Sequence, residues 1–347
     1  MNRMLVPIFG LFLALVTLLA GVQVEARTIV DMDGRTVRVP KKIKAVFGAS
    51  PPITSIIYAM DPSLLVGWNA PKRAREDREY LPGSVRSLPV IGGWYGQGQS
   101  ANMEVLIKIN PDLVLMAGWQ NFNSTKRAEE ALKRLHKPVV HIRTIEMPRY
   151  AETFRFLGKL FNREDRGQRL AEYAEQSLAG IRSAVKGVPD SKKVRVYYAE
   201  GIDGLFTECD QSMHTELIRY AGGKNVLQCT AKSEYGMRKT NLEQILAWNP
   251  DVILVQERSF YQRVFKDPRW QNIKAVRNRE VHLIPRAPFN WFDRPPSYMR
   301  LVGIKWLANI LYPERTRLDM AKETREFYRL FLHIELPDAA IRKILNK

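Results

Sequence analysis

Two cysteines and five histidines are the only thiol and imidazole ligands in the 347-residue sequence. Cys209 and Cys229 form no CxxC pair, which excludes a thioredoxin-type redox motif and a zinc ribbon. His136, His141, His214, His282 and His333 are scattered without HExxH spacing, which disfavours a resident zinc or manganese centre. The sequence also lacks GxSxG, a GxxxxGK[ST] phosphate loop and a strand-led GxGxxG; Gly96-Gln97-Gly98 has neither the third glycine nor the preceding strand. An enzyme reading is therefore left without an activated nucleophile or an acid–base pair. Glycine and proline, 21 and 20 residues, are at background level, which excludes collagen-like and low-complexity chains. Apolar runs are scarce as well. Only Leu5 to Gly21 approaches the length of a membrane span.

Positive charge is plentiful. Lys and Arg number 54 against 36 Asp and Glu, a net charge of +18, which taken alone points to nucleic acid or another polyanion. The amino terminus redirects that reading. Arg3, the apolar run and Val24-Glu25-Ala26 have the layout of a secretory leader cleaved after Ala26. An uncleaved anchor is the alternative, against which Pro7 and the Val-x-Ala site argue. No cysteine follows the run, so a lipoprotein is not expected. Loss of Arg3 and Glu25 leaves 53 − 35 = +18, so the charge belongs to the exported domain. Export removes nucleic acid as a partner and permits disulfides. Cys209 and Cys229 either bridge, closing a loop of about 20 residues worth about 3 kcal/mol, or remain two buried thiols.

Asp33-Gly34 between alternating apolar residues predicts a two-residue hairpin within Thr28 to Pro40. Short apolar strands follow at Ile43 to Phe47, Leu113 to Met116, Val139 to Ile142, Val194 to Tyr198, Val252 to Val255 and Val281 to Ile284. They alternate with helical patterns, which reads as parallel α/β. Between Asp165 and Val185, Leu170, Ala174, Leu178, Ile181 and Val185 recur at helical spacing up to the stop Gly187-Val-Pro-Asp190.

An internal repeat gives the architecture. Asn102-Met-Glu104-Val-Leu-Ile-Lys-Ile-Asn110-Pro-Asp-Leu-Val-Leu115 matches Asn241-Leu-Glu243-Gln-Ile-Leu-Ala-Trp-Asn249-Pro-Asp-Val-Ile-Leu254, with a constant offset of 139 and six identities in fourteen positions. Each copy reads as a short helix stopped by Asn-Pro and followed by a buried strand. Two copies imply two similar α/β lobes, 27–160 and 190–347, joined by a helical segment, 161–189, behind the leader 1–26.

These features resemble the helical-backbone class of periplasmic substrate-binding proteins of ATP-driven importers. The marks are Asp31-x-x-Gly34-Arg35-x-Val37-x-Val39-Pro40, the paired Asn-x-Glu…Asn-Pro-Asp segments, Ala221-Gly-Gly-x-Asn225-Val226 and Trp291-Phe-Asp-Arg294. The resemblance implies two Rossmann-like lobes on one long backbone helix, a ligand cleft between them and little opening on binding. It implies a monomer without intrinsic cofactor that hands a metal chelate to an inner-membrane permease and its ATPase. A ferric siderophore is the favoured chelate; cobalamin, haem and a nickel chelate are alternatives. Glu104 and Glu243 match the glutamates with which the family docks on permease arginines, although Thr240-x-x-Glu243 also reads as a capping box.

Ligands of open α/β sheets bind beyond the carboxyl ends of the strands. That rule selects Ser50, Pro51, Trp94, Tyr95 and Trp119 on the first lobe. On the second it selects the stretch Tyr198 to Ile202, then Phe206, Tyr235, Arg258, Trp291 and Arg294. Aromatics suit a flat ligand and arginines an anionic one. Each tryptophan has core packing as its alternative. Trp94 is favoured for the cleft because the glycines at 92, 93, 96 and 98 suggest a loop with little core to enter. Arg294 either faces the cleft or pairs with Asp293. Tyr235 and His214 are the candidate direct iron ligands, His214 also reading as part of a helix start.

Overall fold

The computed structural model describes residues 25–71, 79–95, 98–118, 123–144, 146–229 and 236–346. Residues 1–24 of the leader and two candidate ligand residues, Trp119 and Tyr235, lie outside these residues.

The described chain opens with an antiparallel hairpin, β1 (Ala26–Val30) and β2 (Thr36–Pro40). Its loop has five residues rather than the expected two, because Asp31 organises it. The Asp31 carboxylate accepts the N–H groups of Asp33 and Arg35 and the Arg35 guanidinium. Gly34 supplies the left-handed residue, φ +80°.

The first lobe is a parallel sheet of β3 (Val46–Gly48), β4 (Leu113–Ala117) and β5 (Val139–Ile142), in that order. The second holds β6 (Arg195–Ala199), the two-residue β7 (Phe206–Thr207) and β8 (Lys224–Asn225), β9 (Arg238–Lys239), β10 (Val252–Val255) and β11 (Val281–Leu283). Its main sheet runs β11-β10-β6-β8, all parallel, and β7 pairs with β9. Strands buried on both faces explain the unbroken Val/Leu/Ile runs. Helix α1 (Pro51–Met60) follows β3, starting with two prolines where missing N–H groups cost nothing.

The repeat folds twice in the same way. Helices α2 (Met103–Ile109) and α3, here Leu242–Trp248, are capped by Asn102 and Asn241, whose side chains accept Val105 N–H at 3.1 Å and Gln244 N–H at 2.8 Å. The N-cap of the second copy is thus Asn241, and Glu243 is not the capping partner of Thr240. Asn110 and Asn249 end both helices in the left-handed region, φ 55° and 41°. After the proline, each aspartate clamps the neighbouring strand. Asp112 accepts the N–H groups of Lys44 and Ala45 at 2.6 and 2.9 Å, and Asp251 accepts that of Arg195 at 2.8 Å. The clamp sets the register Val46↔Leu113 in one sheet and Val196↔Val252 in the other.

The long central helix spans Glu164–Val185 and packs on the antiparallel helix Tyr150–Phe161. Their approach depends on glycine: a Cβ on Gly167 would lie 2.5 Å from the Phe154 carbonyl oxygen and 2.9 Å from Gly158 Cα. The long helix also packs on Arg300–Leu311, where Lys305 Nζ lies over the Tyr173 ring. Helix Met320–Leu332 returns to the first lobe, where Tyr58 Oη donates to the Leu332 carbonyl. Phe154, Tyr173, Tyr298, Phe327 and Phe331 form one aromatic cluster, with Phe327 and Phe331 stacked at 4.5 Å. One hydrophobic core therefore runs through both lobes. Among the described residues no helix is long and apolar enough to cross a membrane.

Candidate functional site

The carboxyl ends of β4 and β5 meet a cleft of about 1090 Å³, which the second lobe lines with residues before β6, after β7 and on β8. β4 delivers Gly118 and β5 delivers Arg143 and Thr144, while Ser212, Met213, Glu216, Arg219 and Asn225 come from the second lobe. The amino-terminal hairpin contributes Asp33. Its carboxylate lies 2.9 Å from His141 Nδ1 and 3.6 Å from Arg143 Nε, so close to Gly118 that a Cβ there would sit 2.2 Å away.

Polar groups dominate this wall. Arg143, Arg149, Lys193, Arg219 and Lys224 line it, and so do Asp33, Glu146, Asp190, Asp210 and Glu216. The cations are already paired: Arg149 with Glu146 at 3.6 Å, Arg219 with Glu216 at 3.9 Å, and Lys193 and Lys224 with Asp190 at 3.2 and 2.8 Å. Among the described lining residues none is aromatic.

Under the cleft floor lies Arg300, 1% exposed. Nη1 bonds Glu216 at 3.0 Å and Nη2 donates to Tyr150 Oη at 3.1 Å, linking the helix before the long helix to the second lobe. Burial raises the Glu216 carboxyl above its ordinary range, against the pull of Arg300.

A second charged group is set into the second lobe. Arg294 donates through Nε to Glu200, which directly follows β6, and through Nη2 to Glu208, which directly follows β7. Asp293 is 3.7 Å from Arg294 Nε and binds His214 Nδ1 at 2.7 Å. Glu200, Glu208 and Asp293 are buried, and each retains one buried carboxylate oxygen without a hydrogen bond. Burial pushes the Glu200 carboxyl up to about 7 despite Arg294. Burial works against a charged His214, but the Asp293 carboxylate outweighs it and raises the imidazole pKa.

Three expected cleft aromatics belong to the interior. Trp94 is 7% exposed: its backbone N–H donates to the Ala49 carbonyl and its ring meets Phe47 edge-on at 6.3 Å, so the glycine loop does enter a core. Tyr198 is buried on central strand β6, its hydroxyl 3.2 Å from Gln256 Oε1 and its ring 4.7 Å from Phe292. Trp291 is buried too, with Nε1 3.3 Å from Tyr328 Oη. Ser50 and Pro51 are half-buried at the start of α1. Tyr95 is half-buried and donates to Asn69 O at 3.1 Å. Phe206 is half-buried over Gly201. Arg258 is exposed, away from the main cleft, beside a small pocket shared with Tyr80 and Arg286. Of the two alternatives for Arg294, the structure shows the approach to Asp293, at 3.7 Å; its stronger bonds go to Glu200 and Glu208, and it does not line the main cleft. Cys209 and Cys229 are joined by a disulfide. Glu104 and Glu243 are exposed, each in the first turn of its repeat helix.

Sequence reasoning missed Asp33, Arg143, Arg149, Glu216 and Arg219. Arg143 was within reach of the strand-end rule, standing directly after β5.

A family profile described as "Periplasmic binding protein" matches residues 93–288, more than half of the chain. The chain is a periplasmic binding protein. It is 26% identical to the molybdate-binding protein MolA of Haemophilus influenzae, over 91% of this chain and 94% of that one. It is 24% identical to the vitamin B12-binding protein of Salmonella typhimurium, over 66% of this chain and 79% of the other. Among solved structures, the ABC transporter solute binding protein from Sulfurospirillum deleyianum is 34% identical, with a TM-score of 0.85 over 92% of this chain and 99% of that one. The two-lobed helical-backbone architecture is thus that of the family, and the protein is the solute-binding component of an ABC transporter, which works with a membrane permease and an ATPase. The relatives are transport proteins rather than enzymes.

Proposed function

We propose that this binding protein captures a compact, hydrophilic, metal-bearing anion in the periplasm, either an oxyanion of the molybdate kind or an anionic chelate such as a ferric siderophore. The observation that carries the reading is a cleft of about 1090 Å³ walled by paired charges, with Trp94, Tyr198 and Trp291 withdrawn into the core. The described residues of this wall offer hydrogen bonds and charge but little flat apolar area for a macrocycle. Similarity to a molybdate-binding relative along 91% of the chain supports the same class. Relatives named for vitamin B12 and for haem align over 66% and 60% of it. Export through residues 1–26 as a cleaved leader, without a lipid anchor, belongs to the proposal.

Delivery to the permease runs through Glu104 and Glu243, two exposed carboxylates at equivalent places on the two lobes. One acidic mark per lobe fixes both partner and orientation on an otherwise basic protein. Calorimetric titration of the purified protein with molybdate, tungstate, a ferric bis-catecholate, nickel–histidine, haem and cyanocobalamin tests the reading. Binding confined to members of the first three is expected; binding of haem, cobalamin or the neutral nickel–histidine complex alone refutes it.

A further inference from the structure

Resting on the reading of Glu104 and Glu243 as docking marks, we propose that each glutamate works with two exposed apolar side chains, Val90 and Ile107 on the first lobe and Ile202 and Met237 on the second. These two patches supply the apolar contact with the permease. Among the described residues the exposed large apolar side chains are Val30, Val90, Ile107, Ile202 and Met237. Singly exposed apolar residues are ordinary on a protein surface. Here all but Val30 lie on segments that join the starts of the two repeat helices.

Ile107 follows Glu104 by one turn of α2, on the same helix face, and is 58% exposed. Val90 precedes Ile91, whose carbonyl accepts the N–H of the α2 cap Asn102 at 2.7 Å. Met237 leads directly into β9 and so toward Asn241, the cap of α3. Ile202, 73% exposed, is in the turn between β6 and β7, where the Leu205 carbonyl accepts the Thr240 N–H at 2.8 Å. That turn is tied down: Tyr197 Oη donates to the Gly204 carbonyl at 2.6 Å, the Leu205 N–H to Asp203 at 3.1 Å and Arg263 to the Ile202 carbonyl. Ile202 is thus held out into water by an ordered loop, and an ordered surface loses little freedom when it docks. The repeat position of Ile107 is Leu246, half-buried against the second-lobe core, so there the apolar surface comes from Ile202 and Met237 instead.

The chemistry of the occupant follows from the charge. Glu104 and Glu243 are exposed and have no ion-pair partner among the described residues, although Lys and Arg outnumber Asp and Glu by 54 to 36. A free carboxylate flanked by apolar side chains matches a cation in an apolar surround: the charge orients the encounter and the apolar rim keeps water from the pair. A second copy of this chain is a poor match, because apposing the patches sets carboxylate against carboxylate.

The test measures binding of the purified protein to its permease–ATPase complex in nanodiscs, without nucleotide, by biolayer interferometry at low and high salt. The double variant Ile107→Ser, Ile202→Ser should weaken binding about tenfold at both salts, with an unchanged melting temperature. The double variant Glu104→Gln, Glu243→Gln should weaken it chiefly at low salt, since screening already removes that attraction at high salt. Val30→Ser, on the amino-terminal hairpin and outside both patches, should bind as the wild type does. If the isoleucine variant binds like the wild type while the glutamate variant fails, the apolar patches are overturned and the docking marks stand. If the glutamate variant binds like the wild type, both are overturned. A loss in Val30→Ser as large as in the isoleucine variant would mean general adhesion and overturns the patches. A dimer of the protein alone that the isoleucine variant dissolves would seat a second copy there, and overturns them as well.

Discussion

Replacing Arg300 by methionine, R300M, tests the seam between the lobes. Arg300 is 1% exposed and bonds Glu216 and Tyr150, so methionine keeps much of the packing but strands a carboxylate that is itself 9% exposed. Breaking one side of a buried pair costs about 3–5 kcal/mol. Glu216 borders the cleft, where water can reach it, so the lower end applies. At about 2 °C per kcal/mol for a chain of this size, the melting temperature should fall by about 6 °C. The pH dependence has a definite sign. The Glu216 carboxyl is already raised by burial, so its neutral form is the better tolerated one, and losing Arg300 raises it further. The R300M deficit should therefore grow as pH rises through the folded pKa and shrink toward pH 5. Urea denaturation of wild type, R300M, E216Q and the double variant at pH 5 and 8 measures it. The double variant should recover at least half of the single loss, because the stranded charge is gone. A single-variant loss under 1 kcal/mol, or a double variant no better than R300M, would refute the argument.

Three further outcomes are expected. Reversing Glu104 and Glu243 to arginine should abolish uptake in vesicles containing the permease while leaving solute affinity unchanged; loss of affinity would remove the docking assignment. Each substitution also costs helix stability of about 0.3–1 kcal/mol, since it puts a cation at a helix N-terminus. Asp112→Ala and Asp251→Ala each release strand N–H groups from their clamp, and chemical denaturation should report a loss of about 1–3 kcal/mol for each, with the larger cost where two N–H groups are freed. Gly167→Ala forces the central helix away from Gly158 and the Phe154 carbonyl, a loss of about 1–3 kcal/mol in the same assay. An unchanged midpoint there would mean that the two helices can separate without cost.

Much of the fold was legible because its signals are local. Asn-Pro-Asp holds a C-cap, a stop and a strand clamp within three residues, and each acts on neighbours the pattern itself exposes. The long helix was equally readable, its apolar spacing matching Glu164–Val185. The site was less legible because cleft exposure is a long-range property. Tyr198 and Trp94 carry the chemistry of ligand walls, but Phe292 and Phe47, distant in sequence, decide that both are covered. Asp33 shows the reverse. A residue that reads as a hairpin turn reaches the cleft because the hairpin folds against His141 on β5.

The core shared by the lobes bears on how the solute is let go. A binding protein with separate open and closed states can change its affinity by shifting between them, and the attainable change is bounded by the difference between those states. Here Phe327 and Phe331 are wedged among Phe154, Tyr173 and Tyr298, and Arg300 pins the cleft floor. A scaffold so continuous should resist wide separation of the lobes, and the expected consequence is a solute affinity that varies little between open and closed forms. The work of release then falls to the importer, which has to displace the solute or prise the walls apart with energy drawn from ATP.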